Sequence, residues 1–597
     1  MIYRDLLKSW TDALVDLQIK ENSHPAFSGG ILCPACHKIH GRCQDAMIPF
    51  LEMARLTGEN HYLQAAEKVF YWSERNVTRE NGAYINDGNN SWTGITSFAV
   101  IGLVECLMTY EDLISDCMRQ GMLFRIRKAA DYLLEFIPIL QKANINYMFA
   151  FATALELSGK ILHHKAYCAA GWELMEKAIT YIDDDGIIFG EGRPKDERTP
   201  KGGRAIDIGY NVEESIPLMI QYYISNQEEK VKKAAVKAMR GHLDFLLPDG
   251  GWDNSFGTRN AKWSYWGSRT SDGCQIAYTF FQEEYPEFGY AAYLNFKLLE
   301  RCTWEGILYG GPMYREAGEE LCIHHTFSHA KTLAYLSAHQ VVLSDRVISD
   351  RALPNLISDG IKSFSNGRIF TLNTSKWRAT LSGAHYQYAA NSTPTGGCLS
   401  LLWARDFGPV LAGTMSEYYL QEAANMQIPK RIPVECCTMQ ITAMLEGKQV
   451  SSLNCLDAEL LTDKTEDHYI LKAKGQLRDE QDNVSCPYEI TYTFTDSCVS
   501  MDITSKAEEL CFYLPVIASE NDRIQYITER EISIEKSKAK LLISSSLPIA
   551  VRKDENIPDG FARVFNPVGG FRYLFMKIPV SDDNGLHAEL QLSSQGI

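Results

Sequence analysis

The 597-residue chain has no apolar run close to the roughly 20 residues that a membrane-spanning helix needs. It also lacks a positive surplus: 59 Lys and Arg stand against 75 Asp and Glu, a net charge of −16. That balance excludes a protein held to nucleic acid by its overall field. Sixteen cysteines are too few for a disulfide scaffold, and Cys106, Cys168, Cys274 and Cys302 stand alone in apolar stretches, as buried thiols do. The opening residues, Met1 to Lys8, show no basic segment leading into an apolar core, so no signal peptide is expected. The expected location is cytoplasmic, or periplasmic or extracellular if a leader has been removed.

What is present is globular: 45% apolar and 22% charged residues, with 11% aromatics that include 30 Tyr and 10 Trp. The length suits two large domains or about three ordinary ones. Residues 1–345 read as successive helices. Tyr3, Leu6, Leu7, Trp10, Leu14 and Leu17 form one helical stripe, and similar stripes recur to about residue 343. Asp45 is the expected cap of the next helix, with Pro49 in its first turn. A punctuation repeats between helices: Asn81-Gly82-Ala83-Tyr84, Asp185-Gly186-Ile187-Ile188, Asp249-Gly250-Gly251-Trp252 and Glu305-Gly306-Ile307-Leu308. Helix hairpins joined this way predict an (α/α)6 toroid, or barrel, with long loops and inner-helix N-termini around a central pocket. The rival is an α-solenoid.

After a hinge at 346–360 the period changes to two. Residues 368–372, 488–494 and 571–575 alternate or run apolar between turn residues, so 361–597 is expected to be an antiparallel β-sandwich. The fold class is therefore multidomain α and β.

Five strings carry candidate chemistry. Cys33-Pro34-Ala35-Cys36 is followed by His40, Arg42 and Cys43. Zinc on Cys33, Cys36, His40 and Cys43 is chemically open but cramped, and the favoured reading is a tight loop that aims His40 and Arg42 at the pocket. Asn86-Asp87-Gly88-Asn89-Asn90-Ser91-Trp92 precedes a helix. Capping explains Asn90 but leaves Trp92 over for a sugar ring. In Asp207-Ile208-Gly209-Tyr210-Asn211-Val212-Glu213-Glu214, Asn211 is the expected N-cap with Glu214 at its third position, and Tyr210 can serve as base or acid beside cations. Arg259, Lys262, Trp263, Tyr265, Trp266 and Arg269 interleave cations with rings, which suits a sugar stacked on Trp with its carboxylate at Arg. His324, His325 and His329 fall within six residues but lack the glutamate of a zinc protease.

Together, ILCPACHKIHGRCQDA, NDGNNSWTGITSF, DIGYNVEESIP, WSYWGSRTSDG and IHHTFSH, with WRATLSGAHY in the β half, resemble polysaccharide lyase family 27. The resemblance implies an (α/α)6 barrel and β-elimination at the L-rhamnose-α-1,4-D-glucuronic acid cap of arabinogalactan, with a tyrosine as base. Tyr210 is the tyrosine chosen on local grounds. Removing a uronate C5 proton also requires a neutralised carboxylate, for which Arg42, Arg269 or a protonated His is a candidate, and an acid at O4, for which His325 or a second Tyr is the candidate. His40, Asn90, Trp92, Asn211, Glu214, Trp263, Trp266, His324 and His329 are the expected substrate contacts. The partner is an acidic oligo- or polysaccharide, and the scheme requires no cofactor. Two alternatives stay open: a glycoside hydrolase on uronides using carboxylates among Asp87, Asp207, Glu213 and Glu214, and a non-catalytic glycan-binding protein.

Overall fold

The computed structural model describes residues 2–192, 195–199, 202–344, 347, 359–383, 394–418, 420, 426, 435–580 and 585–594. Six outer helices (Arg4–Leu17, Asn60–Asn76, Asp116–Phe136, Lys165–Ala178, Glu229–His242 and Pro286–Arg301) bury one face each. Arg4–Leu17, for example, buries Leu6, Leu7, Trp10, Thr11 and Leu14. Their partners (Met47–Thr57, Thr96–Tyr110, Ile145–Ile161, Ile216–Asn226, Gln275–Phe280 and Ile323–Ala338) form the inner ring. Thr96–Tyr110 is buried almost all round, as its near-continuous apolar sequence requires. Each inner helix packs on the next, and Ile323–Ala338 closes the circle by packing on both Met47–Thr57 and the first outer helix. This is the (α/α)6 toroid expected from the sequence.

The recurrent Gly turns have a common role. Bridges Thr78↔Tyr84, Ile182↔Ile188 and Leu246↔Trp252, and the strand pair Thr303–Trp304 with Ile307–Leu308, show that an outer helix ends in a minute hairpin each time. Gly82 and Gly250 sit at its tip with φ of 95° and 92°. A Cβ there would collide with the carbonyl oxygen of Lys128 or Leu294, on the next outer helix. Only glycine allows that backbone conformation at that approach. The turn thus sets the spacing between neighbouring outer helices.

Two helix starts differ from expectation. Asp45 caps nothing: a 3-10 turn, Gly41–Ala46, runs into Met47–Thr57, and the Asp45 carboxylate binds Arg42 and Lys331. Asn211 is not an N-cap either. Asp207 accepts from the Tyr210 N–H, the helix starts at Ile208, and Asn211–Ser215 form a π turn within it.

The C-terminal half is antiparallel. A five-stranded meander runs from Gly360–Phe364 to Gly408–Ala412, and a larger sheet is built around Tyr469–Arg478, Ser485–Phe494 and Cys498–Ser505. Register places Ala473 opposite Ile490 and Ile490 opposite Ile503, so alternate residues share one buried face. Leu372, Trp377 and Leu381 of the meander join the same apolar core as Leu471, Ile490 and Ile503. The expected hinge lies largely outside the described residues; the last inner helix ends at Ala338 and the first strand of the β half begins at Gly360.

The halves are joined closely. Pro567-Val568-Gly569-Gly570, from the β half, lies against the helical domain. Gly569 N–H donates to the Trp263 carbonyl (2.9 Å), Met313 N–H to the Gly570 carbonyl (3.1 Å), and Arg269 to the Pro567 carbonyl (2.7 Å).

Candidate active site

A cavity of about 290 Å³ opens where the loops preceding five of the inner helices converge. Helix N-termini carry partial positive charge and suit an anion. The lining adds Arg42, Arg259 and Lys262, with Glu214 as its one carboxylate among the described residues. The lining of this acidic chain thus carries more cations than carboxylates.

Tyr210 stands in this wall, carried by the first turn after the Asp207 cap. Lys262 Nζ donates to its phenol oxygen at 3.1 Å, and Thr270 Oγ1 lies at 3.1 Å from it. The Arg259 guanidinium lies over the ring, 4.0 Å from its centre. Thr270 has φ of 62°, an unusual conformation for a β-branched residue and one that functional sites often hold. Its carbonyl accepts from Arg42 at 2.8 Å.

His40 faces the same cavity. Its Nδ1 accepts from the Arg42 backbone N–H at 3.1 Å, so in the neutral ring the proton sits on Nε2. Burial first, then the nearby His324, Arg42 and Lys262, hold His40 well below the usual histidine range, so it is neutral at physiological pH. Nε2 makes no good hydrogen bond among the described residues; the Asn86 side chain stands beside the ring. Asn90 Oδ1 accepts from the Trp92 N–H (3.0 Å), and Trp92 Nε1 donates to the Tyr147 hydroxyl (2.9 Å), which sets the indole at the cavity rim.

The π turn presents Glu213 and Glu214 on buried sides. Glu214 accepts from Asn146 (2.6 Å) and Arg42 (3.1 Å), and burial pushes its carboxyl up to about 7 against the opposing pull of Arg42. Glu191, also raised to about 7 by burial, pairs with Arg259 at 2.8 Å. Glu213 turns away to the Ser268 N–H (2.8 Å) and His329 (3.3 Å).

The expected site residues divide. Tyr210, His40, Arg42, Asn90, Trp92 and Glu214 share the cavity. Arg42, however, is an organiser: its five N–H groups reach Asp45, Asp272, Glu214 and the Thr270 carbonyl, which leaves none for a substrate. The Arg269 guanidinium is absent from the lining. It binds Tyr314 and the Pro567 carbonyl at the domain junction, and only its own carbonyl approaches Tyr210, at 3.3 Å. Trp263 and Trp266 donate to the carbonyls of Trp252 and Tyr309 and are buried as packing. His325 is buried against Trp266, and His329 pairs with Glu213. Asn211 ties the Ile188 carbonyl to His242. His324 lies behind His40, ring centres 4.8 Å apart. Sequence reading missed Asn144, Asn146 and Tyr147. Their only signal is two Asn and a Tyr at one more inner-helix start.

The expected zinc set does not assemble as drawn. Cys33 and Cys36 come together, but with His324 rather than His40 and Cys43.

Residues 7–354 match the ulvan lyase N-terminal domain, and 361–593 the ulvan lyase C-terminal domain. A broad-specificity ulvan lyase of Formosa agariphila is 33% identical over 583 residues, 96% of this chain and 90% of that protein. Among solved structures, the chondroitin AC lyase of Streptomyces coelicolor A3 shares the fold (TM-score 0.53, 11% identity) over 99% of this chain and 83% of that one. With two matching domains in the same order and one relative aligned almost end to end, the chain belongs to the ulvan lyase family and is a polysaccharide lyase.

Proposed function

We propose that the cavity cleaves a uronate-bearing polysaccharide of the ulvan type by β-elimination, with Tyr210 as base and His40 as acid. The observation that carries this reading is the Tyr210 oxygen, held by Lys262 at 3.1 Å, in a cavity that also presents a neutral His40. Positive charge at that oxygen favours the phenolate, which takes the C5 proton of the uronate. Electrons of the C5–H bond form the C4=C5 double bond, the C4–O4 bond breaks, and O4 receives the proton from His40 Nε2. The resulting imidazolate regains a proton, and the Tyr210 phenol loses one, through solvent before the next turnover. Negative charge developing at the sugar carboxylate is met by Arg259, Asn146 and the surrounding helix N-termini. Trp92 offers the ring face for stacking. His40 takes the role that the sequence pointed to in His325, because His325 is packed behind Trp266.

A hydrolase would need two carboxylates flanking the bond, and the described lining offers only Glu214, which is bound to Arg42 and Asn146. The finer reading from the sequence, the rhamnose-α-1,4-glucuronate cap of arabinogalactan, is the competing substrate within the same chemistry. Incubation with ulvan and, separately, with rhamnose-capped glucuronate oligosaccharides decides between them. The expected result is new ultraviolet absorbance from the conjugated double bond on ulvan, abolished in Tyr210→Phe. Reducing ends without that absorbance would mean hydrolysis and overturn the reading.

A further inference from the structure

We propose that Cys33, Cys36, Cys322 and His324 form a closed tetrahedral zinc site that ties the loop before the first inner helix to the start of the last one. The two segments lie almost three hundred residues apart in sequence, yet the Ala35 N–H donates to the Leu321 carbonyl at 3.1 Å and sets the Cys-Pro-Ala-Cys turn beside Cys322. The Sγ atoms of Cys33 and Cys322 are 3.8 Å apart. Two thiolates at about 2.3 Å from one zinc ion stand about 3.8 Å apart at the tetrahedral angle. Cys33, Cys36 and His324 offer ligand atoms all within 4.8 Å of one another.

Three further features point to a cation there. His324 is 1% exposed, and neither ring nitrogen has a hydrogen-bond partner among the described residues. Burying both unpaired is costly, and a metal bond satisfies one. Each sulfur is faced by a backbone N–H that would steady a thiolate: Cys36 toward Cys33, Lys38 toward Cys36, and His324 toward Cys322. Finally, three soft sulfurs and an imidazole, all buried except the half-buried Cys322, fit a structural site in which the four ligands leave no position for water or substrate. On binding, the three thiols release their protons to solvent and the imidazole binds neutral. Because the His324 ring packs 4.8 Å from His40, the same ion fixes the wall behind the proposed acid.

The test is metal analysis of the full chain expressed with zinc and dialysed against metal-free buffer. About one zinc ion per chain is expected, with X-ray absorption showing sulfur at about 2.3 Å and nitrogen at about 2.0 Å. Cys36→Ser and Cys322→Ser should lose the ion, whereas Cys43→Ser should keep it. Chelation of the wild type should lower Tm, and zinc should restore it. A wild type without zinc, both as purified and after refolding with the metal, would overturn the proposal. So would zinc retained in Cys322→Ser, an absorption spectrum without sulfur neighbours, or a disulfide joining Cys33 to Cys36 or Cys322 by mass. The wild-type measurements decide the matter even where a variant does not fold, and they do not depend on which glycan is cleaved.

Discussion

Lys262 and Tyr210 meet inside the cavity with ammonium nitrogen and phenol oxygen 3.1 Å apart, while the Arg259 guanidinium lies over the phenol ring. If the lysine stabilises the phenolate during proton removal, Lys262→Met should lower kcat by about 10²–10³-fold, and Tyr210→Phe by at least that. Substrate retention in Tyr210→Phe, measured by calorimetry, should remain. Near-normal turnover in Tyr210→Phe would remove it as the base.

His40→Gln keeps the size and a donor but cannot give up a proton. A fall in kcat of about 10²-fold or more is expected, with KM little changed. A substrate with a better leaving group at C4 should recover much of the loss, since its departure needs less protonation. Equal losses on both substrates would deny His40 the acid role.

Glu214 is the carboxylate facing the incoming uronate, and burial raises it to about 7. Above that value it is charged and repels an anionic ligand; below it is neutral. KM should therefore rise as pH increases through about 7. Glu214→Gln should flatten that rise. An unchanged profile in the variant would place the titration elsewhere.

Burial holds His40 and His325 below the usual histidine range and His242 at about 4. The unfolded chain takes up protons near 6.5 that the folded state resists, so this stability is fully present above about 6.5 and is lost as pH falls, by up to about 1.4 kcal/mol per pH unit per group. His325→Leu removes one such group from an apolar setting. Urea midpoints between pH 4 and 6 should decline less steeply in the variant, and turnover at pH 7 should persist. A large loss of turnover would return His325 to the mechanism.

Gly250→Ala forces a Cβ toward the Leu294 carbonyl at a φ of 92° and should cost about 2–4 kcal/mol. Gly58, with φ of 73° and open space where its Cβ would be, provides the control; Gly58→Ala should cost about 1 kcal/mol. Equal Tm changes would mean that the close approach between outer helices does not matter.

Much of this was legible from residue order because the ring is made of local elements. Stripes such as Leu6, Leu7, Trp10 and Leu14 report a helix and its buried face directly, and a toroid places every inner-helix start near one centre. Tyr210, His40, Trp92 and Lys262 could be found by position alone for that reason. The division of labour within 259–272 could not. Trp263 and Arg269 turn toward residues 567–569, some three hundred positions later, and a pairing that remote leaves no periodic trace. Asn211 failed for a local reason: Asp207 caps the helix four residues earlier, so the residue expected as the cap lies inside it. Asn146 was hidden by being ordinary.

The pairing of the first outer helix with Ile323–Ala338 has a bearing on how the protein is made. During synthesis Arg4–Leu17 leaves the ribosome about three hundred residues before Ile323–Ala338, the helix it packs on most, and in the meantime can rest on Met47–Thr57 and on Tyr62. Five helix pairs can dock as they appear, but the circle stays open, and its apolar seam wet, until the last one arrives.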